Sequence, residues 1–242
     1  AVSPFLLVCD HASKALPPGY GTLGLPENEL ARHIGWDIGA ARVTARMAEV
    51  LNAPALFSGY SRLLIDYNRD TDDPTFICQV SDGTVIPANR DIGEAERKRR
   101  IDEFYVPYHA AVAEAMARLM QKVAAPSLIS IHSFTPVMRG RPRPWHVGVL
   151  WNRDPRIAVP LMRHLAEEPG IVVGDNEPYS GRDNVGRTMN AHGGALGLPH
   201  VLVEARQDLV GDEAGAIAWG DRLAGALTRI EAEQGPFKIE HY

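Results

Sequence analysis

The sequence predicts an α/β protein: a three-layer α/β/α sandwich around a central mixed, mainly parallel sheet. Three observations predict it. Short apolar runs such as Phe5-Leu6-Leu7-Val8-Cys9 lack period-two alternation, as strands covered on both faces do. These runs alternate with longer segments of helical spacing, the pattern of a sheet between helical layers. The chain of 242 residues, 45% of them hydrophobic, suffices for one well-buried core, so residues 1–242 are expected to form a single domain.

The first strand, Phe5 to Cys9, stops at Asp10-His11, and a Pro/Gly-rich loop through Pro17, Pro18, Gly19 and Gly21 follows. From Glu27 to Leu51 apolar residues recur at helical spacing with no internal proline, which predicts a helix pair or one long helix. Ala55-Leu56-Phe57 and Leu63-Leu64-Ile65 are short strand candidates. Asp72 to Asn89 mixes Pro, Asp and Gly and reads as a lid-like excursion. Glu94 to Val123 is helical but interrupted at Pro107, and Leu128 to Ile131 is a strand ending at His132. Val147 to Leu150 is a strand, Ile157 to Leu165 a helix, and Ile171 to Val173 another short strand. Val201-Leu202-Val203 leads to Glu204, and a helix from Asp212 to Glu233 closes the chain.

A formal net charge of −5 excludes the broad positive field that attracts phosphate backbones, so nucleic acid is not an expected partner. Cys9 and Cys78 form neither a disulfide framework nor a CxxC pair, which suits a reducing compartment. Cys9, inside an apolar run, is expected to pack rather than react. The longest apolar runs fall far short of the roughly 20 residues a membrane span needs. A soluble, cytoplasmic protein without a membrane partner is the expectation.

Three apolar strands end in a chemically useful side chain: His11, His132 and Glu204. In open α/β sheets the carboxyl ends of strands face the ligand crevice, so these groups are expected to converge. A catalytic zinc commonly takes three ligands from His and carboxylate and leaves a fourth position to water. Asp37 or His33 offers the third ligand; four residues apart, they would share a helical face. A single strand-end histidine is more often a hydrogen-bonded structural residue, and spacing this wide is less specific than a compact His-Glu-x-x-His.

Several segments together are more specific. Val8-Cys-Asp-His-Ala-Ser13, His33-Ile-Gly-Trp-Asp-Ile-Gly39, Tyr60-Ser-Arg-Leu-Leu-Ile-Asp-Tyr-Asn-Arg69 and Pro107-Tyr-His109 form one set. Ile129-Ser-Ile-His-Ser133, Trp145-His-Val-Gly148 and Glu204-Ala-Arg-Gln-Asp-Leu209 complete it. With these the chain resembles the N-formylglutamate amidohydrolase family over nearly its whole length. That family is similar to zinc carboxypeptidases, acyl-amino-acid deacylases and zinc-dependent cell-wall amidases, so the resemblance implies a zinc-peptidase-like α/β/α fold. It also implies one divalent metal ion, zinc being the expected one, held by His11, Asp37 and His132, with Glu204 assisting catalysis. Asp37 stands where the cell-wall amidases have a glutamate, and after a longer loop.

The implied reaction is metal-dependent hydrolysis of the N-acyl, expectedly N-formyl, amide of a small acidic amino acid such as N-formylglutamate. A substrate carboxylate taken out of water needs a cation, and the planar fork of arginine suits it. Arg62 and Arg69, with Asn68 as polar partner, are the leading anchors, and Arg206 is a third. Each also has an acidic neighbour in sequence with which to pair. His109, His146 and His192 are possible further site residues, His146 or His192 as an oxyanion donor. Arg139, Arg141 and Arg143 form a basic loop able to border the entrance. A peptidase or cell-wall amidase acting on a larger substrate is one alternative, and a non-catalytic metal- or ligand-binding relative is another.

Overall fold

The computed structural model describes residues 2–183 and 186–242. In chain order it has β1 (Phe5–Cys9), α1 (Glu27–Leu30), α2 (Ala40–Leu51), β2 (Ala55–Phe57), β3 (Val80–Ser81) and β4 (Thr84–Val85). There follow α3 (Glu94–Arg100), α4 (Val106–Met120), β5 (Ser127–Phe134), β6 (Val137–Met138), β7 (Arg141–Pro142) and β8 (Val147–Leu150). The chain closes with α5 (Pro155–Ala166), β9 (Val173–Asp175), α6 (Arg187–His192), β10 (His200–Arg206), α7 (Gln207–Val210) and α8 (Glu213–Gln234).

Six strands form the central sheet in the order β2-β1-β5-β10-β8-β9. The first four are mutually parallel, while β8 runs antiparallel to β10 and parallel to β9, so the sheet is mixed and mainly parallel. Strand alternation sends side chains to two cores. Phe5, Leu7 and Cys9 join α2, α5 and α8 on one face; Leu6 and Val8 join α4 and the irregular 61–89 segment on the other. Each fully buried Leu or Ile here contributes roughly 1.5–3 kcal/mol over its exposed state, which is why β1 and β5 need no polar face. No helix among the described residues is long and apolar enough to cross a membrane.

Where expectation and structure part, local chemistry explains it. The Glu27–Leu51 stretch is two helices, α1 and α2, separated by a bent segment, so neither His33 nor Asp37 is helical. Pro107 lacks the N–H an α-helix sends four residues back, and the chain takes a π-helical turn over Ile101–Tyr105 just before α4. Leu63-Leu64-Ile65 is buried but not a strand. Instead of a neighbouring strand, side chains satisfy its carbonyls: Asn89 Nδ2 donates to Leu63 at 2.8 Å and the buried Arg100 Nη1 to Leu64 at 2.9 Å. The lid-like 72–89 excursion contains the β3–β4 hairpin, turned by Asp82-Gly83 with both residues at positive φ. The sixth strand of the sheet is Val173–Asp175, two residues later than expected at its start.

Candidate metal centre and active site

The carboxyl ends of β1, β5 and β10 bring their side chains to one place. His11 follows β1, and its carbonyl accepts from the Asp37 N–H at 3.0 Å, which ties the turn before α2 to the sheet. That turn closes at Gly39, whose φ is +84° and where a Cβ would lie 2.2 Å from the Val210 carbonyl oxygen. Only glycine fits such a backbone against so close a neighbour. Asp37 is thus fixed by a tight turn rather than by a helix. His132 lies on β5, and Glu204 on β10 is its direct partner in the parallel register.

One donor atom from each of His11, Asp37 and His132 lies within 4.8 Å of the others, and all three residues are buried. The Asp37 Oδ2 atom is 3.2 Å from His11 Nδ1 and 2.8 Å from His132 Nδ1. Both opposite ring nitrogens meet carboxylates: His11 Nε2 meets Asp66 Oδ1 at 2.7 Å, and His132 Nε2 meets Asp10 Oδ2 at 3.1 Å. Such outer carboxylates fix the ring orientation and the tautomer, leaving Nδ1 free to bind a metal. Two imidazole nitrogens and one carboxylate oxygen are a donor set that fits a zinc-type ion. His33 does not join them; its Nε2 lies 3.4 Å from Asp82 Oδ2 at the edge of the cleft.

The electrostatics favour a positive occupant. Burial disfavours the Asp10 carboxylate, but the hydrogen bond and charge of His132 prevail and bring its pKa down to about 2. Asp37 and Asp66 are buried too, and their histidine and arginine neighbours hold both below the usual carboxylate range. Burial lowers the pKa of His132, yet Asp10 and Asp37 push it up to about 10. Glu204 differs: burial and the nearby Asp37 push it up to about 7 against the pull of His132, Arg62 and His11. Its Oε2 is buried without a hydrogen-bond partner among the described residues.

These residues open into a cleft of about 470 Å³. Arg62 lines it, but its Nε and Nη2 are both on Asp66 Oδ2, at 3.0 and 2.7 Å. Asn68 accepts from the Thr188 N–H at 3.1 Å, with its Nδ2 3.5 Å from His132 Nε2. Arg69 also lines the cleft, with Asp73 Oδ2 3.7 Å from its Nη1. Arg206 is placed elsewhere: it pairs with Asp208 at 2.8 Å and donates to the carbonyls of Arg143, Pro144 and Trp145. His109 and His192 form a stacked pair behind the cleft. His109 Nε2–H donates to the Tyr67 carbonyl, so its Nδ1 accepts from His192 Nε2–H, each at 2.9 Å. His146 Nδ1 accepts from the Val172 N–H, far from an oxyanion role.

Sequence reasoning passed over Asp10 and Asp66 as site members. Both carried a signal, since each ends an apolar run, Leu-Leu-Val-Cys and Leu-Leu-Ile. Arg139 and Arg143 of the basic loop do line the cleft. Arg139 sits with Gly140 at the positive-φ turn of the β6–β7 hairpin.

Fold and site together define an α/β/α enzyme with a buried two-histidine, one-carboxylate constellation and a buried glutamate beside it at the strand ends. The sequence profile of N-formylglutamate amidohydrolase matches residues 3–210, and the chain belongs to that family of amidohydrolases. It is 30% identical to an N-formylglutamate deformylase of Pseudomonas aeruginosa, over 95% of this chain and 90% of that protein. The crystal structure of a gene product from Agrobacterium tumefaciens, 36% identical, superposes with a TM-score of 0.91 over 96% of this chain and 91% of that one. An N-formylglutamate amidohydrolase from Ralstonia eutropha JMP134, 22% identical, shares the fold with a TM-score of 0.74 over 96% and 94% of the two chains.

Proposed function

We propose that this chain, acting as one domain, is a metal-dependent hydrolase of the N-formyl amide of a small acidic amino acid such as N-formylglutamate. In this reading His11, Asp37 and His132 hold a single zinc ion. One observation carries it: both Nδ1 atoms turn toward Asp37 Oδ2, while Asp10 and Asp66 occupy the opposite nitrogens and Glu204 pairs in register with His132. The family membership and the name of the Pseudomonas aeruginosa relative support the formyl group and the amino acid.

The ion, when bound, supplies Lewis acidity that polarises the amide carbonyl and acidifies water. The chain supplies the rest. Glu204, whose Oε2 has no hydrogen-bond partner among the described residues, takes a proton from the attacking water and returns it to the leaving nitrogen, so that formate and the free amino acid result. Asn68 and Arg69 line the cleft and offer an amide and a guanidinium to one substrate carboxylate. Arg62 keeps Asp66 ionised, and through it the orientation of His11.

The test is metal analysis of the purified protein together with a turnover screen over N-formyl, N-acetyl and peptide substrates, before and after chelation. The expected result is about one zinc per chain, preference for N-formyl acidic amino acids, and activity lost on chelation and regained with zinc. Full turnover by exhaustively metal-free protein would remove the metal from the reading.

A further inference from the structure

N-formyl derivatives of acidic amino acids carry two carboxylates, and Asn68 with Arg69 accounts for one. Of the other cleft arginines, Arg62 is already spent on Asp66, and Arg139 is exposed at the tip of the β6–β7 hairpin. Arg143 is neither. Its guanidinium lies over the rings of Tyr179 and Phe134, 4.9 and 5.8 Å from their centroids. Its Nη1 donates to the Tyr179 hydroxyl at 3.1 Å and is 3.5 Å from the Thr135 carbonyl. No carboxylate among the described residues pairs with it, yet it lines the same cleft as His132 and Glu204. Tyr179 is close enough to Glu204 that the carboxylate helps raise its pKa, after burial.

The loop that carries Arg143 is held. The Arg143 N–H donates to the Pro136 carbonyl at 2.8 Å, closing the β6–β7 hairpin. Arg206 reaches across from the end of β10 to the carbonyls of Arg143, Pro144 and Trp145, at 3.2–3.3 Å. Asp208 secures Arg206 in turn. A guanidinium held against two aromatic rings loses little freedom on gripping a carboxylate, and its planar fork can bind both oxygens.

We propose that Arg143 reads the side-chain carboxylate of the substrate, and that Arg206 is a positioning residue that braces the loop presenting it. This inference rests on the reading of the cleft as a site for N-formyl acidic amino acids. It divides the two carboxylates between Arg69 and Arg143, which come from separate segments of the wall.

The experiment compares kcat/KM for N-formyl-L-glutamate and N-formyl-L-glutamine in wild type, Arg143→Gln, Arg143→Lys and Arg206→Gln, at matched zinc content. Arg143→Gln should lower the acid-to-amide selectivity ratio on the order of a hundredfold, since one partner of a desolvated charge pair is lost. Arg143→Lys should fall between, keeping the charge without the stacked fork. Arg206→Gln should lower the same ratio mainly through KM. Binding is read separately by calorimetry with N-formyl-L-glutamate, on Glu204→Gln protein and its Arg143→Gln double variant, where the double variant should bind more weakly. A wild type that turns over no N-formyl amino acid sinks the reading of the reaction, while the binding arm still judges Arg143. An unchanged selectivity ratio in Arg143→Gln, or equal affinity in the binding pair, overturns the assignment to Arg143 alone.

Discussion

Glu204 and His132 stand opposite one another in the parallel register of β10 and β5, both buried, with no hydrogen-bond partner for Glu204 Oε2 among the described residues. Parallel neighbours of this kind sit about 4.8 Å apart along the hydrogen-bonding direction. The sheet itself therefore sets the spacing between a metal-competent imidazole and the proposed base, and no flexible loop intervenes.

Replacing Glu204 by Gln should leave zinc content unchanged and lower kcat by about 10²–10⁴-fold, because the side chain keeps its shape and loses its basic form. Zinc assay and steady-state kinetics on the same preparation check it. Near-normal turnover would take Glu204 out of the mechanism.

The pH profile follows from the same group. Burial and Asp37 push Glu204 up to about 7, and its ionised form is the one that accepts a proton. Activity should therefore rise with pH through an acid limb and fall as pH drops below the pKa. A cation held by Asp37, His11 and His132 favours the carboxylate, which moves the limb to pH 7 or lower. A log kcat/KM profile in wild type should contain this limb, and the residual activity of Glu204→Gln should lack it. The same limb in both proteins would assign it to another group.

Much of this site was legible because an apolar run that stops at a polar residue marks a strand end, and His11, His132 and Glu204 each stand at such a stop. β5 and β10 run on for two residues past His132 and Glu204, which changes neither side chain's face. Asp37 was legible by type and not by setting. Helical spacing around residues 27–51 hid the turn that Gly39 closes, and with it the separation of His33 from Asp37. Arg206 stands two residues beyond Glu204 on β10, but that spacing says nothing of how far a guanidinium reaches back to loop carbonyls. Leu63–Ile65 shows the limit for short runs: three buried apolar residues read alike whether a strand or the side chains of Asn89 and Arg100 cover their carbonyls.

Gly39→Ala should be disproportionately costly. Its φ of +84° disfavours any Cβ, and that atom would meet the Val210 carbonyl oxygen at 2.2 Å. Backbone strain alone costs on the order of 1–3 kcal/mol, and the collision adds to it. Gly59, whose added Cβ meets nothing within 4 Å, is the control position. Thermal unfolding should show a clear loss for Gly39→Ala and little change for Gly59→Ala. Zinc affinity should fall only in the former, because Asp37 lies two residues before the disturbed turn. Equal melting temperatures would mean that the turn relaxes freely.

The outer carboxylates make the last expectation. Asp10 accepts from the Tyr108 hydroxyl at 2.8 Å, the Thr188 hydroxyl at 2.7 Å and the Ser130 hydroxyl at 3.1 Å, besides facing His132 Nε2 at 3.1 Å. A carboxylate ringed by donors obliges that imidazole to carry its proton on Nε2 and to leave Nδ1 bare toward Asp37. In Asp10→Asn one oxygen becomes an NH₂ group that faces donors, so the ring loses its reason to keep that tautomer. Zinc affinity, measured by competition with a chelator of known strength, should fall about 10–100-fold, as it does when outer-shell partners of zinc histidines are removed. Asp10→Glu keeps the charge but moves it, and should recover part of the loss if charge rather than fit dominates. Turnover at saturating zinc should fall less than affinity does, since Asp10 acts on the ring and not on the substrate. Unchanged zinc affinity in Asp10→Asn would mean that Ser130 and the strand backbone alone orient His132, and that Asp10 belongs to the packing of α4 and α6 against the sheet.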